Sequence, residues 1–417
     1  MRQPRRTPLV IAASTVALLL IQLQQISVAA APSITWDRSV ARSLSSVAAD
    51  HAGAVYTTGF RIGPSEHGAD PYMVLYRYSS AGTFQWKRTW RPSNAWAKGS
   101  DLAIGDDGSV YVSGIVNMNG FEGNQWFIRK YSPAGRLLWR HQTPNWRTPS
   151  AVGHAETISG VAVGAGVVAV SGYSFGCCGD VDHDGWVRTY DLDGNLKWTS
   201  PFEASQPTGT NDAANAIAIS GIGRVYVAGW VATGAESEGD MADHEIMIQK
   251  LGPSGSVVWT HMFFDHHRKD RDGATSVSVR GDRAMLTAEA GGNWQGRSPH
   301  AWLASLTFDG GVRWTRTWGK DSDHAAQLSS VSIDPSGSTY VAGTERDPSN
   351  DGMNAFVRRY STSGRLVWEL VLDDVERFMN GSDVFALSDG ALATGWQSAE
   401  ADGFLSPTSG RLWRVRG

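Results

Sequence analysis

Only two cysteines, the adjacent Cys177 and Cys178, occur in 417 residues. So little thiol excludes a disulfide-built scaffold, and two cysteines with no cysteine partners elsewhere make a poor zinc site. Basic runs are missing as well, and the formal charge is -4. That balance argues against a nucleic-acid partner. After residue 30 no apolar stretch is long enough to cross a bilayer, and no helical apolar period emerges. Neither the phosphate-loop pattern nor the H-E-x-x-H zinc pair is present.

The beginning of the chain is different. Arg2, Arg5 and Arg6 precede an apolar run of 13 residues, Leu9–Ile21, and then small residues ending in "SVAAAP". This is the layout of a secretory signal peptide, with cleavage expected near Ala29 or Ala30. Removing residues 1–30 leaves 34 basic against 41 acidic side chains, a formal charge of -7. The expectation is an exported chain, 31–417, with no membrane span after cleavage. A monomer is the simplest assembly to expect.

What the sequence has in excess is tryptophan. Trp36, Trp86, Trp139, Trp198, Trp259, Trp314, Trp368 and Trp413 stand 50, 53, 59, 61, 55, 54 and 45 residues apart. Most close the same phrase: "GTFQW", "GRLLW", "GNLKW", "GSVVW", "GGVRW" and "GRLVW", with "SGRLW" one residue shorter. Each interval reads as four short strands. In the second unit "DLAIG" and "SVYVSG" flank "DDG", and "QWFIRKY" and "RLLWRHQ" flank "SPAG". Repetition of such units predicts an all-β, seven-bladed β-propeller of four-stranded antiparallel blades, one domain after the leader. The units lie near 36–86, 87–139, 140–198, 199–259, 260–314, 315–368 and 369–413. With one tryptophan-ended strand too many and a compressed last unit, "SITWDRSV" (Ser33–Val40) is expected to join the C-terminal blade and close the ring. Pro407 weakens that unit's expected third strand around Phe404.

The pattern V-x-V-x-G, an Asp or Asn before "FVRRY"-type strands, and G-x-x-x-W resembles the bacterial seven-bladed β-propeller repeat (SBBP-type) proteins across the mature chain. It is also distantly similar to quinoprotein-like propeller repeats, which include quinone dehydrogenases and non-catalytic scaffolds. Unit five departs from the pattern, since "MLTAEAGGN" lacks the glycine ending the second strand elsewhere.

Strand alternation puts the short turns, such as "DHAG", "DDG" and "PSG", on one face. The long irregular connections fall on the other, which is the candidate binding face. Asp180-x-Asp182-x-Asp184-Gly185 matches the first half of a calcium loop, making calcium the candidate cofactor. Position 12 is Asp191 rather than glutamate, and Asp184 shares its slot with Asp70, Asn124, Asp243, Asn354 and Asp402. Only Asp180 and Asp182 are special to this blade. A vicinal Cys177–Cys178 disulfide stiffening the loop is the first reading and a calcium site the second. The quinoprotein likeness adds a third, such a disulfide lying against a quinone.

"FFDHHRKDRDG" gathers Asp265, His266, His267, Asp270 and Asp272, which suit metal binding, acid–base work or a plain solvated loop. Asp321, Asp323 and His324 allow the same alternatives. The unit-ending tryptophans read as packing between blades. Trp126, Trp186 and Trp302 are expected to share a third-strand slot with Tyr72, Phe356 and Phe404. Trp96, Trp146, Trp230 and Trp294, with Trp90, Trp318 and Trp396, remain for the irregular face, where aromatics beside carboxylates suit carbohydrate stacking. The leading reading is a non-catalytic propeller binding a protein or glycan. The alternatives are an extracellular polysaccharide hydrolase or lyase, and a quinone-dependent oxidoreductase.

Overall fold

The computed structural model describes residues 31–40, 42–65, 68–93, 95–118, 124–142, 155–175, 183–203, 211–233, 243–263, 271–292, 300–319, 325–346, 352–372, 378–398 and 409–417. The expected leader, 1–30, lies outside them. Twenty-eight strands form seven four-stranded antiparallel blades, and no helix occurs among the described residues. The inner strands of blades 1 to 7 are Ser43–Ala49, Ala95–Ile104, Ala155–Gly164, Asp212–Ile219, Arg271–Arg280, Ala326–Ile333 and Phe378–Leu387. From each, the chain steps outward strand by strand. A single parallel bridge, His244 to Arg271, links blades 4 and 5 directly.

Alternation buries apolar side chains on both faces of every blade, and adjacent blades share them. Leu75 and Tyr131, for example, pack with Ala97 and Val112 between blades 1 and 2. Tyr340, Val357, Trp413 and Val415 join blades 6 and 7. The ring closes as expected. Ser33–Ser39 pairs antiparallel with Ser409–Arg416 and becomes the outer strand of blade 7.

That closure corrects part of the sequence reading. Trp413 ends no outer strand; it lies in the third strand of blade 7, 2% exposed, across from Ala393. Phe404 is outside the described residues, and the third strand begins at Ser409 instead. The third-strand aromatic slot also shifts. Phe127, Trp186 and Phe356 face the second-strand glycines, with Trp302 facing Ala288 in unit five, whereas Trp126 and Tyr72 are out of that register. The Asp/Asn slot fares better: Asp70, Asn124, Asp184, Asp243 and Asn354 all stand near the start of third strands.

The turns within each blade's two hairpins carry a glycine at positive φ, as at Gly108 (73°) and Gly364 (78°). A left-handed residue is what such tight turns demand. In the turn between third and fourth strands this glycine has a second duty. A Cβ on Gly364 would stand 2.6 Å from the ring of Trp314, in the preceding blade, and one on Gly255 2.8 Å from that of Trp198. The ring therefore lies flat against the next blade's turn. Its indole N–H donates to a carbonyl of the same turn: Trp86 to Pro133 at 3.2 Å, Trp139 to Leu192 at 2.9 Å, Trp198 to Pro253 at 2.9 Å, Trp314 to Thr362 at 3.0 Å. Trp36 does the same across the closure, to Ser80 at 3.2 Å.

Two residues on, Arg38, Arg88, His141 and Arg316 bond the carbonyl of that turn glycine. The repeated phrase is thus an interlock in which the glycine of one unit receives the tryptophan of the unit before it.

Trp368 is the exception. In blade 7 the third and fourth strands are not joined by a hairpin, since the fourth is Ser33–Ser39, and among the described residues Gly417 meets the ring. The Trp368 indole N–H is buried with no acceptor among the described residues. Trp86→Phe, which removes a donor that has an acceptor, should therefore cost about 1 kcal/mol more than Trp368→Phe in urea unfolding. Equal costs would show that the indole bonds contribute nothing beyond ring packing. Deleting residues 31–40 should lower the melting temperature sharply, since blade 7 loses its outer strand and Trp36.

Candidate functional site

The inner strands are not regular. Each carries a β-bulge at the same height, leaving Ser45, Ser100, Ser159, Asn215, Thr275, Ser329 and Ser382 without a partner on the second strand. A bulge re-aims its extra residue, and these seven small polar side chains ring the central channel. From this ring to the short-turn face the channel encloses about 500 Å³, with Asp50, His51 and Asp106 at its end.

At four of the seven bulges the next side chain accepts an N–H from the following blade. Asp101 Oδ2 accepts from the Val161 N–H at 2.8 Å, and Asp383 Oδ2 accepts from the Val47 N–H at 2.8 Å. Ser46 and Ser276 accept from the N–H groups of Leu102 and Val331, each at 3.3 Å. The recurring duty of this position is structural.

Two of these carboxyls meet at one hydroxyl. Ser46 Oγ lies 2.8 Å from Asp101 Oδ1 and 2.9 Å from Asp383 Oδ2, yet it has one proton to give. Asp383 is held by four donors: the N–H groups of Val47 and Val384 and the hydroxyls of Ser46 and Ser330. Asp101 has only the Leu102 and Val161 N–H groups besides Ser46. The carboxyl with more donors is the easier to ionise, so Asp101 is the one that holds its proton more tightly. Burial, reinforced by the Asp383 charge, pushes Asp101 up to about 7. Burial raises Asp383 too.

Toward the long-loop end the second strands carry a different set of residues. One residue beyond the second-strand glycine position stand Phe60, Ile115, Tyr173, Trp230, Glu289, Thr344 and Trp396. Four of the seven are aromatic. Lys98, half-buried on the inner strand of blade 2, places its ammonium 4.7 Å from the centre of the Phe60 ring and 5.0 Å from that of Trp96. Burial lowers its pKa, and no carboxylate pairs with it among the described residues. Trp230 stacks on His244 with ring centres 4.0 Å apart and 9° between planes, and Gly273 leaves room for it. Burial raises the pKa of Glu289.

The expected site residues divide accordingly. Trp96 and Trp230 belong to this mouth. Asp272 is 4% exposed and its Oδ1 accepts the Gly291 N–H at 2.7 Å, a backbone-holding role. Asp184 is exposed at its strand start. Trp90 and Trp318 pack between blades, against Phe127 and Phe356. Trp146, Trp294, Asp180, Asp182, Cys177, Cys178, Asp265, His266, His267, Asp321, Asp323 and His324 lie outside the described residues. Among the described residues no group of three His, Cys, Asp or Glu side chains could hold a metal.

Sequence reasoning passed over Lys98, whose signal is the one basic residue in the inner strand Ala95–Ile104, beside Trp96. It also passed over Gly172-Tyr173-Ser174-Phe175-Gly176, the letters of a serine-nucleophile elbow. Tyr173 to Phe175 pair in regular register within blade 3, so the strand-to-helix turn that exposes such a serine is missing.

No protein-family description matches the chain, and no curated protein matches it in sequence. Its own strand pairing makes it a seven-bladed β-propeller. It is similar in fold to the β-propeller domain of the trilobed protease from Pyrococcus furiosus, described as having an open Velcro topology. That match has 9% identity, a TM-score of 0.48, and covers 90% of this chain and 94% of that one. The acylaminoacyl peptidase of Pyrococcus horikoshii matches at 9% identity and TM-score 0.46, over 85% of this chain and 49% of that one. The Penicillium chrysogenum α-L-arabinanase, solved with arabinobiose, matches at 8% identity and TM-score 0.38, over 67% and 94%. Likeness at this level concerns the fold alone.

The Asp101 proton sets a pH dependence. The folded chain keeps it up to about pH 7, while the unfolded chain releases it near 3.8. This contribution is whole below about pH 4 and is lost as pH rises through 7. Urea unfolding should therefore show stability falling by roughly 3 kcal/mol from pH 4 to 8, and Asp101→Asn should flatten the decline. Parallel declines in both proteins would assign the effect elsewhere.

Proposed function

We propose that this propeller is an exported, non-catalytic binding protein of the bacterial seven-bladed repeat type, taking a protein or glycan at its long-loop face. The observation that carries the reading is the half-buried Lys98 held between Phe60 and Trp96. A cation over aromatic faces, with no carboxylate to neutralise it among the described residues, leaves its charge for a ligand. Trp230 and Trp396 continue the aromatic lining around the mouth. The Asp101–Asp383 pair gives a hydrolase reading little to work with, because its carboxylate oxygens are already committed to backbone N–H groups. The leader, the Cys177–Cys178 disulfide and calcium at Asp180 and Asp182 belong to the same reading.

A thermal-shift screen of residues 31–417 against a glycan panel, calcium, chelator and reductant tests it. A glycan that raises the melting temperature should bind about tenfold more weakly to Trp96→Ala or Trp230→Ala. Retained affinity in both variants would move the site off this mouth. A melting temperature indifferent to calcium and chelator would remove the metal.

A further inference from the structure

Away from the channel, a second cavity of about 600 Å³ opens at the seam where the ring closes. One wall comes from the closing strands of blade 7, the other from blade 1. Its charged side chains among the described residues are of one sign: Arg38, Arg61, which interacts with the Tyr76 hydroxyl, and Lys87 line it. Arg38 is bonded only to backbone carbonyls, those of Gly82 and Asp37. No ion pair joins Arg61 or Lys87 to a carboxylate among the described residues. Three cations around one cavity repel each other, a cost that an anion would remove.

The floor is equally specific. Tyr76 and Tyr78 lie on one face of the third strand of blade 1, their rings 6.2 Å apart, with Phe84 edge-on to both. Tyr78 is 1% exposed, and its hydroxyl is buried without a hydrogen-bond partner among the described residues. A buried hydroxyl without a partner costs free energy unless a ligand or water takes it up. Ser39 and Ser409, which bond each other across the two closing strands, complete the rim with further hydroxyls.

We propose that this seam pocket is an oxyanion site, taking a sulfate, phosphate or carboxylate group carried on a small organic or sugar moiety. Arg61 and Lys87 supply charge, the Tyr78 hydroxyl donates a hydrogen bond, and the ring edges receive the carrier. Edge hydrogens of aromatic rings are the positive part of the quadrupole, which suits an anion. Because Arg38 and Ser39 lie on the strand that closes the ring, occupancy clamps the closure itself. Nothing in this site depends on the long-loop face.

Isothermal titration of residues 31–417 with inorganic sulfate, inorganic phosphate and glucuronate, at matched ionic strength in chloride, tests the proposal and separates the three groups. Saturable one-to-one binding of at least one is expected, weakened at least about tenfold by Arg61→Glu and by Lys87→Glu. Both residues are exposed, so the variants should keep the wild-type melting temperature in chloride. Hydrogen exchange should show the Ser33–Ser39 amides slowing on binding in the wild type but not in Arg61→Glu. Tyr78→Phe should weaken binding less than either charge reversal. No saturable heat up to tens of millimolar, or affinity unchanged in both charge reversals, overturns the site. Binding that leaves the Ser33–Ser39 amides unprotected overturns the clamp.

Discussion

The structure depends on one recurring contact between neighbouring units: an outer-strand tryptophan, or the Arg or His two residues on, laid on the turn glycine of the next blade. The ring needs a residue without a Cβ beneath it, and the turn needs one that tolerates positive φ. One glycine meets both demands. The indole N–H and the Arg or His two residues on then bond carbonyls of the same turn, so orientation as well as distance is set. A chain of such contacts runs from blade to blade. It breaks between blades 6 and 7, where no hairpin joins the third and fourth strands and Trp368 finds no carbonyl for its N–H among the described residues. The closing strand compensates on the other side, since Trp36 grips blade 1.

Inside the ring a second set of ties works at shorter range. The bulge on every inner strand frees a small polar residue toward the channel, and in four blades the next side chain, Ser46, Asp101, Ser276 or Asp383, accepts an N–H from the following blade. Where that side chain is aspartate, the bond is strong and the carboxyl is taken out of water. The two aspartates converge on Ser46 because blades 7, 1 and 2 are consecutive around the closure. Burial and the neighbouring charge of Asp383 raise the pKa of Asp101, so the seam of the ring carries a pH-sensitive pair. The same seam holds the cationic cavity, so the place where the closing strand meets blade 1 carries both a buried acid pair and a set of cations.

The long-loop mouth and the short-turn face differ for a topological reason. Turns within a hairpin are constrained by strand pairing and by the interlock, and so repeat nearly unchanged. Connections on the other face carry neither constraint, so aromatic and charged residues vary freely there. Phe60, Lys98, Trp96 and Trp230 stand at the described edge of that variable region. Their burial is partial, which is what a ligand-facing residue on a rigid strand end requires.

Much of this was legible beforehand. Tryptophan spacing, hairpin phrases and the surplus strand led to seven blades closed by Ser33–Ser39, because each repeat must bury its faces against identical neighbours. Reading errors came where one residue of register matters: Trp413 was placed in an outer strand, and Trp126 in the wrong third-strand slot. Local pattern does not encode a bulge or a one-residue slip, since both depend on what pairs opposite. By itself, then, the sequence determined the repeat, the blade count and the order of strands, all consequences of periodic burial. Only the tertiary structure decided which groups converge. Asp101 and Asp383 stand 282 residues apart in the sequence, Arg38 and Arg61 lie farther still from Ser409, and a ring brings such positions together only once it has closed.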